Sequence, residues 1–460
     1  MGKLIGNKHF YSKVFQVMVP ILVQNLITNF VNLLDNLMVG RVGTEPMSGV
    51  AIVNQLLFVF NLCIFGGLSG VGIFTAQFYG KGDVEGVQKT IRAKLYFALA
   101  ATAVFGGSFI LFGRELLSLF LHEGADGLSL ENTLNYGVGY LRIMLWQMPI
   151  FALINAYASS LRETGETRLP MRASIAAVMV NLTFNYILIY GKFGAPALGV
   201  EGAAMATVLA RIVECTIVIC GAHKRKGQNI FADGLYRSLA VPGELTKRIV
   251  TTGFPLMINE LLWSLGMTTL VQLLSRRGLE VVSADNIAST VSNLFFCVMG
   301  AMGSSVAIII GQLLGAGESE QAVDEDRKLI FSTVVLCTCV GAVMALCSPL
   351  IPRLYNTTET VRSLAASMIL ITAIMLPNTG FINATYFTLR SGGKTWITFL
   401  FDCAFVWVVS VPATWFLVEK TALNVLPIYA LSYLLDIIKS VVGFIMVKKR
   451  IWVNNLVKDE

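Results

Sequence analysis

The sequence predicts an all-α integral membrane protein with twelve transmembrane helices, arranged as two pseudo-symmetric six-helix lobes around a central cleft. Hydrophobic residues fill 55% of the 460 positions and charged residues only 14%, which leaves too little polar surface for a water-soluble globule. The apolar stretches are continuous, whereas the strands of an outer-membrane barrel alternate apolar and polar residues. Many residues of the first half recur in the second half at a nearly constant separation, which predicts two related lobes.

Each of the twelve apolar stretches is long enough to cross about 30 Å of hydrocarbon as a helix. In chain order they lie near residues 14–38, 48–72, 94–112, 135–160, 173–191, 202–222, 249–274, 286–312, 329–351, 363–388, 396–418 and 425–447. The first follows a short basic tail without a small-residue cleavage site, so it is predicted to be a retained helix and not a signal peptide. The polar stretch between the sixth and seventh spans contains the run HKRKGQ. It divides the chain into a predicted N-terminal lobe (1–222), a cytoplasmic linker (223–248) and a C-terminal lobe (249–460).

The internal duplication has two registers, each with one constant offset between the halves. The first register pairs Pro20, Arg41, Gln77, Gly80 and Gly82 with Pro255, Arg276, Gln312, Gly315 and Gly317. The second register has a slightly smaller offset and pairs Pro149, Asn155, Arg162 and Gly165 with Pro377, Asn383, Arg390 and Gly393. One deletion in the second half explains the change. Because each half has an even number of crossings, the repeats share one orientation in the membrane.

The distribution of basic residues predicts that both termini are cytoplasmic. Lysine and arginine concentrate on alternate connections, such as Lys89 to Lys94, Arg162 to Arg172, and Lys224 to Arg248, as the positive-inside rule describes. The net charge of +7 is then explained by topology and by contact with anionic membrane lipid. Nucleic acid is not a predicted partner.

Asp35 is the strongest candidate functional residue, because an ionisable group inside an apolar span is costly and marks function by default. It lies in the first span with Asn25, Asn32 and other polar residues at spacings of three and four, which places them on one helical face. This face is predicted to line the bundle interior or a wet cavity. The alternative is a structural role for Asp35 at the end of the helix.

Glu260 in the seventh span is the second candidate. Its equivalent in the first repeat register is Asn25, so Asp35 and Glu260 are not symmetry mates. Each lobe would therefore have one acid at its own depth, one for ion coupling and one for a substrate or second proton site. Asn25, Asn32, Met257 and Trp263 are predicted to belong to the Glu260 site. The alternative for Glu260 is a structural hydrogen bond to a neighbouring helix.

Three further polar residues are predicted to surround Asp35. Asn181 and Asn185 are one turn apart in the fifth span, and Thr207 lies in the sixth. Their oxygens suit a small hard cation or a proton network, so Asp35 is also a possible Na⁺ ligand. Close helix packing around Thr207 is the alternative.

Other groups are interpreted as structural. Arg211 with Glu214, and Asp436 with Lys439, have i to i+3 spacing and are predicted to neutralise each other. The eight cysteines lie singly in apolar segments, where they are predicted to be packing residues. No Walker motif occurs, so an ion gradient is the predicted energy source and no cofactor is expected.

The assembled residues resemble the multidrug and toxic compound extrusion (MATE) family of secondary transporters over nearly the whole chain. The motifs that carry the resemblance are Pro20 with Asp35 and Met38-Val-Gly40, Ala76-Gln77 with Gly80, Arg162-Glu-Thr-Gly165-Glu-Thr-Arg168, Asn181 to Asn185 with Gly199-Val-Glu-Gly-Ala-Ala, and Gln312 with Gly315. The resemblance implies exchange of inward Na⁺ or H⁺ for outward organic cations or amphipathic drugs, with rocking between two open states.

The resemblance also implies residue roles. Asp35 matches an aspartate that binds the coupling ion, and Asn181 and Thr207 match its partners. Asn185 stands where some members have aspartate. Glu260 matches an acid of the seventh helix, but the tenth span lacks the aspartate that accompanies it in the NorM-like branch, which favours a DinF-like member.

Other function classes fit the sequence less well. A lipid-linked precursor flippase or narrow metabolite exporter of the same superfamily is the main alternative, although the chain has neither extra helices nor a strongly basic central cavity. An enzyme would need clustered catalytic groups, and only three histidines occur, all outside the apolar spans. A passive channel is disfavoured because single buried acids in duplicated lobes suit a switch better than a continuous pore. The protein is predicted to act as a monomer.

Overall fold

The computed structural model describes residues 4–120, 129–224 and 229–458, and this part of the chain is all helical. Within these ranges, twelve helical spans are long and apolar enough to cross a membrane, which confirms the predicted all-helical fold with twelve spans. Before the linker the helices are α1 (Lys8–Gly40), α2 (Thr44–Lys81), α3 (Val84–Ser118), α4 (Leu130–Glu163), α5 (Arg168–Tyr190) and α6 (Gly199–Lys224). After it they are α7 (Gly243–Ser275), α8 (Leu279–Gly315), α9 (Ser319–Cys347), α10 (Glu359–Ser391), α11 (Thr395–Phe399), α12 (Val411–Lys420) and α13 (Val425–Lys448).

The predicted repeat is visible in the local geometry of the helices. Prolines lie inside α1, α4, α7 and α10, at the repeat-related positions Pro20 and Pro255, and Pro149 and Pro377. Each proline removes one backbone hydrogen bond, which makes a point where the helix bends easily. The chain leaves α2 and α8 through Gly82 and Gly317, whose φ angles of 79° and 80° are left-handed. Both helices therefore end at equivalent positions of the repeat, where glycine adopts the left-handed conformation without a steric cost.

The eleventh span (Thr395–Lys420) is not a continuous α-helix. Between α11 and α12 the backbone forms two successive π-helical segments, Leu400–Ala404 and Val406–Ser410. A π-turn inserts extra backbone per turn, so residues beyond it face a different direction from the one a regular helix would give them. The first of these segments carries Asp402.

The chain divides into two compact units. Unit A comprises residues 23–75 and 84–249, and unit B comprises residues 1–22, 76–83 and 250–460. The core of unit A includes Val53, Phe60, Ile64 and Met148, all nearly inaccessible to solvent. The cores of unit B are built around α8, α9 and α10 and include the first turns of α1. The predicted boundaries at 222 and 249 stay a prediction, and residues 225–228 of the predicted linker lie outside the described part.

The described part of the linker is held on α3 within unit A. Gln88 donates to the carbonyls of Phe231 and Asp233 at 3.3 and 2.8 Å. On the same face of α3, Arg92 donates to the Leu235 carbonyl and Tyr96 donates to the Leu239 carbonyl, each at 2.8 Å. Since these residues are spaced by four along α3, they form one row of donors that binds the linker through its backbone.

Within unit B, α2 and α8 cross at repeat-related glycines. A side chain at Gly80 would overlap the Gln312 carbonyl, and one at Gly315 would overlap the Gln77 carbonyl. The contact is reciprocal because the two glycines are equivalent positions of the repeat, and so are the two glutamines. Any larger residue at either glycine would force the two backbones apart.

The segment that follows α13 packs against this crossing. Gln77 is fully buried and donates to the carbonyls of Ser391 and Asn454, at 3.0 and 3.3 Å, and its Oε1 accepts from the Leu456 amide at 2.7 Å. Trp452 and Val457 are buried in the same region. Gln77 therefore joins α2, the end of α10 and the C-terminal segment.

Replacing Gln77 with leucine is expected to release the C-terminal segment, because leucine cannot accept from the Leu456 amide or donate to the two carbonyls. We expect faster hydrogen–deuterium exchange at the Leu456 amide, measured by mass spectrometry. Gln321→Leu is the matched control, since Gln321 is exposed and bonds only to Glu325 at 3.1 Å among the contacts described. Equal exchange in both variants would contradict the role of Gln77.

Candidate functional site

The structure brings Asp35 together with the amides predicted to surround it. Asn185 on α5 donates to Asp35 Oδ1 at 2.6 Å. The side-chain amide of Asn181 pairs donor with acceptor when its nitrogen faces the carboxylate. In this orientation Asn181 donates to Asp35 Oδ1 and Oδ2 at 2.9 and 3.3 Å. Both asparagines are buried, at 6% and 1% exposure for Asn181 and Asn185. The Asp35 carboxylate is thus held by two amides one helical turn apart.

Thr207 on α6 completes the Asp35 cluster, which we define as Asp35, Asn181, Asn185 and Thr207. The Thr207 hydroxyl lies 3.3 Å from the Asn181 side chain and also donates to the Ala203 carbonyl at 3.0 Å. The Asn185 Oδ1 atom is buried and has no hydrogen-bond partner among the described residues. The cluster therefore offers carboxylate, amide and hydroxyl oxygens, which are the ligands of hard cations and of proton networks.

Two groups near Asp35 could not be inferred from sequence spacing. The hydroxyl of Tyr140 on α4 and the guanidinium of Arg211 on α6 both interact electrostatically with Asp35. Tyr140 is buried, and its hydroxyl is a potential donor to the carboxylate. Neither residue belongs to the polar face of α1, and the sequence alone does not show that α4 and α6 bring these two groups close to Asp35.

Arg211 forms the local ion pair that the sequence predicts. Its Nη1 atom lies 2.6 Å from Glu214 Oε2. Glu214 also accepts from Ser174 at 2.6 Å, and Gln24 donates to Ser174 at 2.8 Å. The i to i+3 pair is therefore confirmed, and it belongs to a chain of polar contacts that runs from α1 through α5 to α6.

Glu260 belongs to a second polar group, the Lys439 network, defined as Asn259, Glu260, Tyr386, Asp402 and Lys439, all in unit B. The Tyr386 hydroxyl donates to Glu260 Oε1 at 3.1 Å. Asn259 Nδ2 approaches the Tyr386 hydroxyl at 3.4 Å and Asp402 Oδ2 at 3.2 Å. Lys439 Nζ lies 2.5 Å from Asp402 Oδ1. The network links α7, α10, the π-helical segment and α13.

The prediction that Lys439 forms its close ion pair with Asp436 is wrong, although the two residues interact electrostatically. Lys439 pairs with Asp402 on the eleventh span, although Asp436 is one turn away on its own helix. The π-helical segments that carry Asp402 supply the reason, because extra backbone in each turn changes the direction in which the carboxylate points. Intrahelical spacing alone does not detect a partner on another helix.

The other residues predicted to accompany Glu260 are less closely grouped. Met257 and Trp263 stand on α7 one turn to either side of Glu260, and the Trp263 side chain is 38% exposed. Asn25 is half-buried and belongs to unit A. The side chain of Asn32 lies outside the described part. Their participation in one substrate site stays a prediction.

Comparison with known proteins shows which proteins this chain is similar to. The MatE family profile matches twice, over residues 20–187 and 255–416, and the two matches begin at Pro20 and Pro255, the first pair of the repeat. The probable multidrug resistance protein YoeA of Bacillus subtilis is 26% identical over 90% of this chain and 88% of its own length. The probable multidrug resistance protein NorM of Thermotoga maritima is 24% identical over 90% and 87%. A solved structure of a mutant of the Vibrio cholerae MATE transporter VcmN has the same fold, with a TM-score of 0.87 at 19% identity over 97% of this chain and 98% of that one.

Proposed function

Because this chain belongs to the MatE family of multidrug efflux transporters, we propose that it is a secondary active antiporter. It exchanges inward H⁺ or Na⁺ for small organic cations or amphipathic drugs by rocker-switch alternating access. Two of the relatives above are named as multidrug resistance proteins, which supports a small-molecule substrate. In this proposal the protein acts as a monomer in a lipid membrane, with both termini cytoplasmic, and without nucleic acid or a cofactor.

The Asp35 cluster is the observation that carries the proposal. A carboxylate inside a membrane helix is costly, and it is retained where it binds an ion or a proton. Here two buried amides orient the carboxylate, and a buried amide oxygen of Asn185 lacks a partner among the described residues. A cation or proton arriving at Asp35 would neutralise the charge and give that oxygen a ligand or a donor.

Coupling requires that the ion bind the two states of the transporter with different affinity, since an ion bound equally by both would shift neither. Asp35 lies on α1, which Pro20 makes easy to bend. Asn181, Asn185 and Thr207 lie on α5 and α6. A change in α1 that separates Asp35 from these partners would alter the ion affinity, and it would alter the shape of the substrate pathway at the same time.

Efflux from proteoliposomes tests the proposal. Purified protein is reconstituted with a fluorescent organic cation, and either a Na⁺ gradient or a pH gradient is imposed. We expect one of the two gradients to drive efflux, and an ionophore that collapses this gradient to stop it. Absence of gradient-driven movement of any cationic dye would contradict antiport, and would favour a lipid-linked precursor flippase or a narrow metabolite exporter of the same superfamily.

A further inference from the structure

The Lys439 network contains a buried cation that belongs to the chain itself. Lys439 Nζ lies 2.5 Å from Asp402 Oδ1, and the two side chains are only 7% and 16% exposed. An ammonium group at this depth is costly unless a carboxylate faces it. The pair does not come from local helix geometry, because the two residues lie on different spans.

Aromatic rings complete the surroundings of this ammonium. Lys439 Nζ lies 5.3 Å from the ring centre of Phe401 and 5.9 Å from that of Phe405. Both distances are within the range of cation–π attraction, and rings combined with a carboxylate are a recurrent way of binding cations. Phe401, Asp402 and Phe405 are brought to one place by the π-helical backbone, a feature that is frequent at functional sites. We call these three residues the cation cage.

Asn259 gives an independent indication that the cage can bind a cation. Its side chain is 1% exposed and approaches Asp402 through Nδ2 at 3.2 Å. Its Oδ1 atom is buried without a hydrogen-bond partner among the described residues. A buried amide oxygen beside a carboxylate is a suitable ligand for a small cation. The cage would therefore attract a mobile cation if Lys439 did not fill it.

Other charged groups near the cage leave the local charge negative without Lys439. Asp436 interacts electrostatically with both Lys439 and Asp402, and Glu260 interacts with Asp402. Among the described residues, Arg390 is a second cation in this region, and it interacts electrostatically with Glu260 and Tyr386. The Cys403 thiol also lies within electrostatic range of Asp402 and Lys439. In the described part of the chain, removal of the Lys439 charge would leave the carboxyl groups of Glu260, Asp402 and Asp436 with the guanidinium of Arg390.

We infer that Lys439 is a tethered counter-ion, which fills a cation site in unit B and so prevents Asp402 from taking a mobile coupling ion. The inference rests on the proposed antiport function and extends it. Ion exchange would be confined to the Asp35 cluster, and the number of ions exchanged per cycle would be lower than for a transporter with two mobile sites. Lys439 then determines how many ions are exchanged in each transport cycle.

Thermal unfolding of purified protein in detergent tests this inference without a transport measurement. All variants carry Asp35→Asn, so that cation binding at the Asp35 cluster does not contribute. In this background Lys439→Gln is compared with Lys439→Arg, which keeps the positive charge. We expect the Tm of the Lys439→Gln variant to rise by about 3 °C or more with added Na⁺ or at lower pH, relative to the arginine control, because a cation that binds only the native state stabilises it.

Addition of Asp402→Asn to the Lys439→Gln variant provides the second arm. It removes both charges, so we expect a folded protein that has lost the extra response to cations.

Equal responses of the glutamine and arginine variants would overturn the inference. A Lys439→Gln variant that unfolds in every buffer while the doubly neutral one folds would also overturn it, since no mobile cation would then replace the lysine. If Asp35→Asn alone left ion-driven transport intact, the proposed function would fail. The Tm responses of the Lys439→Gln and Lys439→Arg variants would still test the inference about Lys439.

Discussion

Replacement of Asp35 by asparagine is expected to reduce gradient-driven efflux from proteoliposomes to the level of liposomes without protein. Asparagine has nearly the same shape as aspartate, and it can still exchange hydrogen bonds with Asn181 and Asn185, so the fold should persist. It lacks the negative charge that attracts a cation or accepts a proton. The two states of the transporter would then have no difference in ion affinity, and the gradient could not drive the cycle.

The matched control for this variant is Asp324→Asn. Asp324 is a half-exposed carboxylate on α9 that pairs with Lys328, and a surface ion pair of this kind contributes at most about 1 kcal/mol. The control should therefore transport at the wild-type rate, and both variants should keep the wild-type elution profile in size-exclusion chromatography. Wild-type efflux by Asp35→Asn would contradict the assignment of Asp35 as the coupling residue.

Features that recur or extend along the chain could be predicted from the sequence. The spans follow from continuous apolar stretches, because a helix is the structure that satisfies its own backbone hydrogen bonds in lipid. The duplication places Gly82 and Gly317 at equivalent helix ends, and both have left-handed φ angles. The Asp35 cluster could be predicted in part because Asn181 and Asn185 are one turn apart, so that they share a helical face in any packing of α5.

Features that depend on the packing of distant helices could not be predicted. The i to i+3 spacing assigns Lys439 to Asp436, whereas its real partner is 37 residues away. A spacing rule finds partners only on the same helix, and Asp402 lies on another span, in a π-helical segment. The three hydrogen bonds of Gln77 to the end of α10 and the C-terminal segment likewise have no sequence signature, since all three are with backbone groups.

Lys94 shows that the position of a basic residue in the chain does not reveal whether its side chain is buried. Its position near the start of α3 places it among the basic residues that predict a cytoplasmic connection. The structure buries it completely and pairs its Nζ with Glu163 Oε2 at 2.5 Å and with the Ser159 hydroxyl at 3.0 Å. A basic residue counted only by its position in the chain can therefore be an internal structural ion.

Replacement of Lys94 by methionine is expected to lower the free energy of unfolding by about 3 to 5 kcal/mol, the usual cost when one partner of a buried ion pair is removed. Methionine fills a similar volume, but it removes the ammonium group that contacts the Glu163 carboxylate. The Glu163 carboxylate lies against Gly72, where a Cβ atom would overlap it, and its side chain is only 14% exposed. Denaturant unfolding in detergent, followed by intrinsic fluorescence, measures the loss. A change below about 0.5 kcal/mol, which is typical of surface substitutions, would contradict this role.

The double variant Lys94→Met/Glu163→Gln separates loss of the ion pair from loss of packing. Glutamine keeps the shape of glutamate and removes the buried charge, so most of the stability lost in Lys94→Met should return. Glu163→Gln alone should also be destabilised, because it leaves the ammonium of Lys94 buried without a carboxylate at 2.5 Å. If the double variant were as unstable as Lys94→Met, the lysine would stabilise the α3–α4 contact mainly through its aliphatic chain and its bond to Ser159. Recovery in the double variant would show that charge neutralisation, rather than the volume of the side chain, accounts for the requirement for lysine at this position.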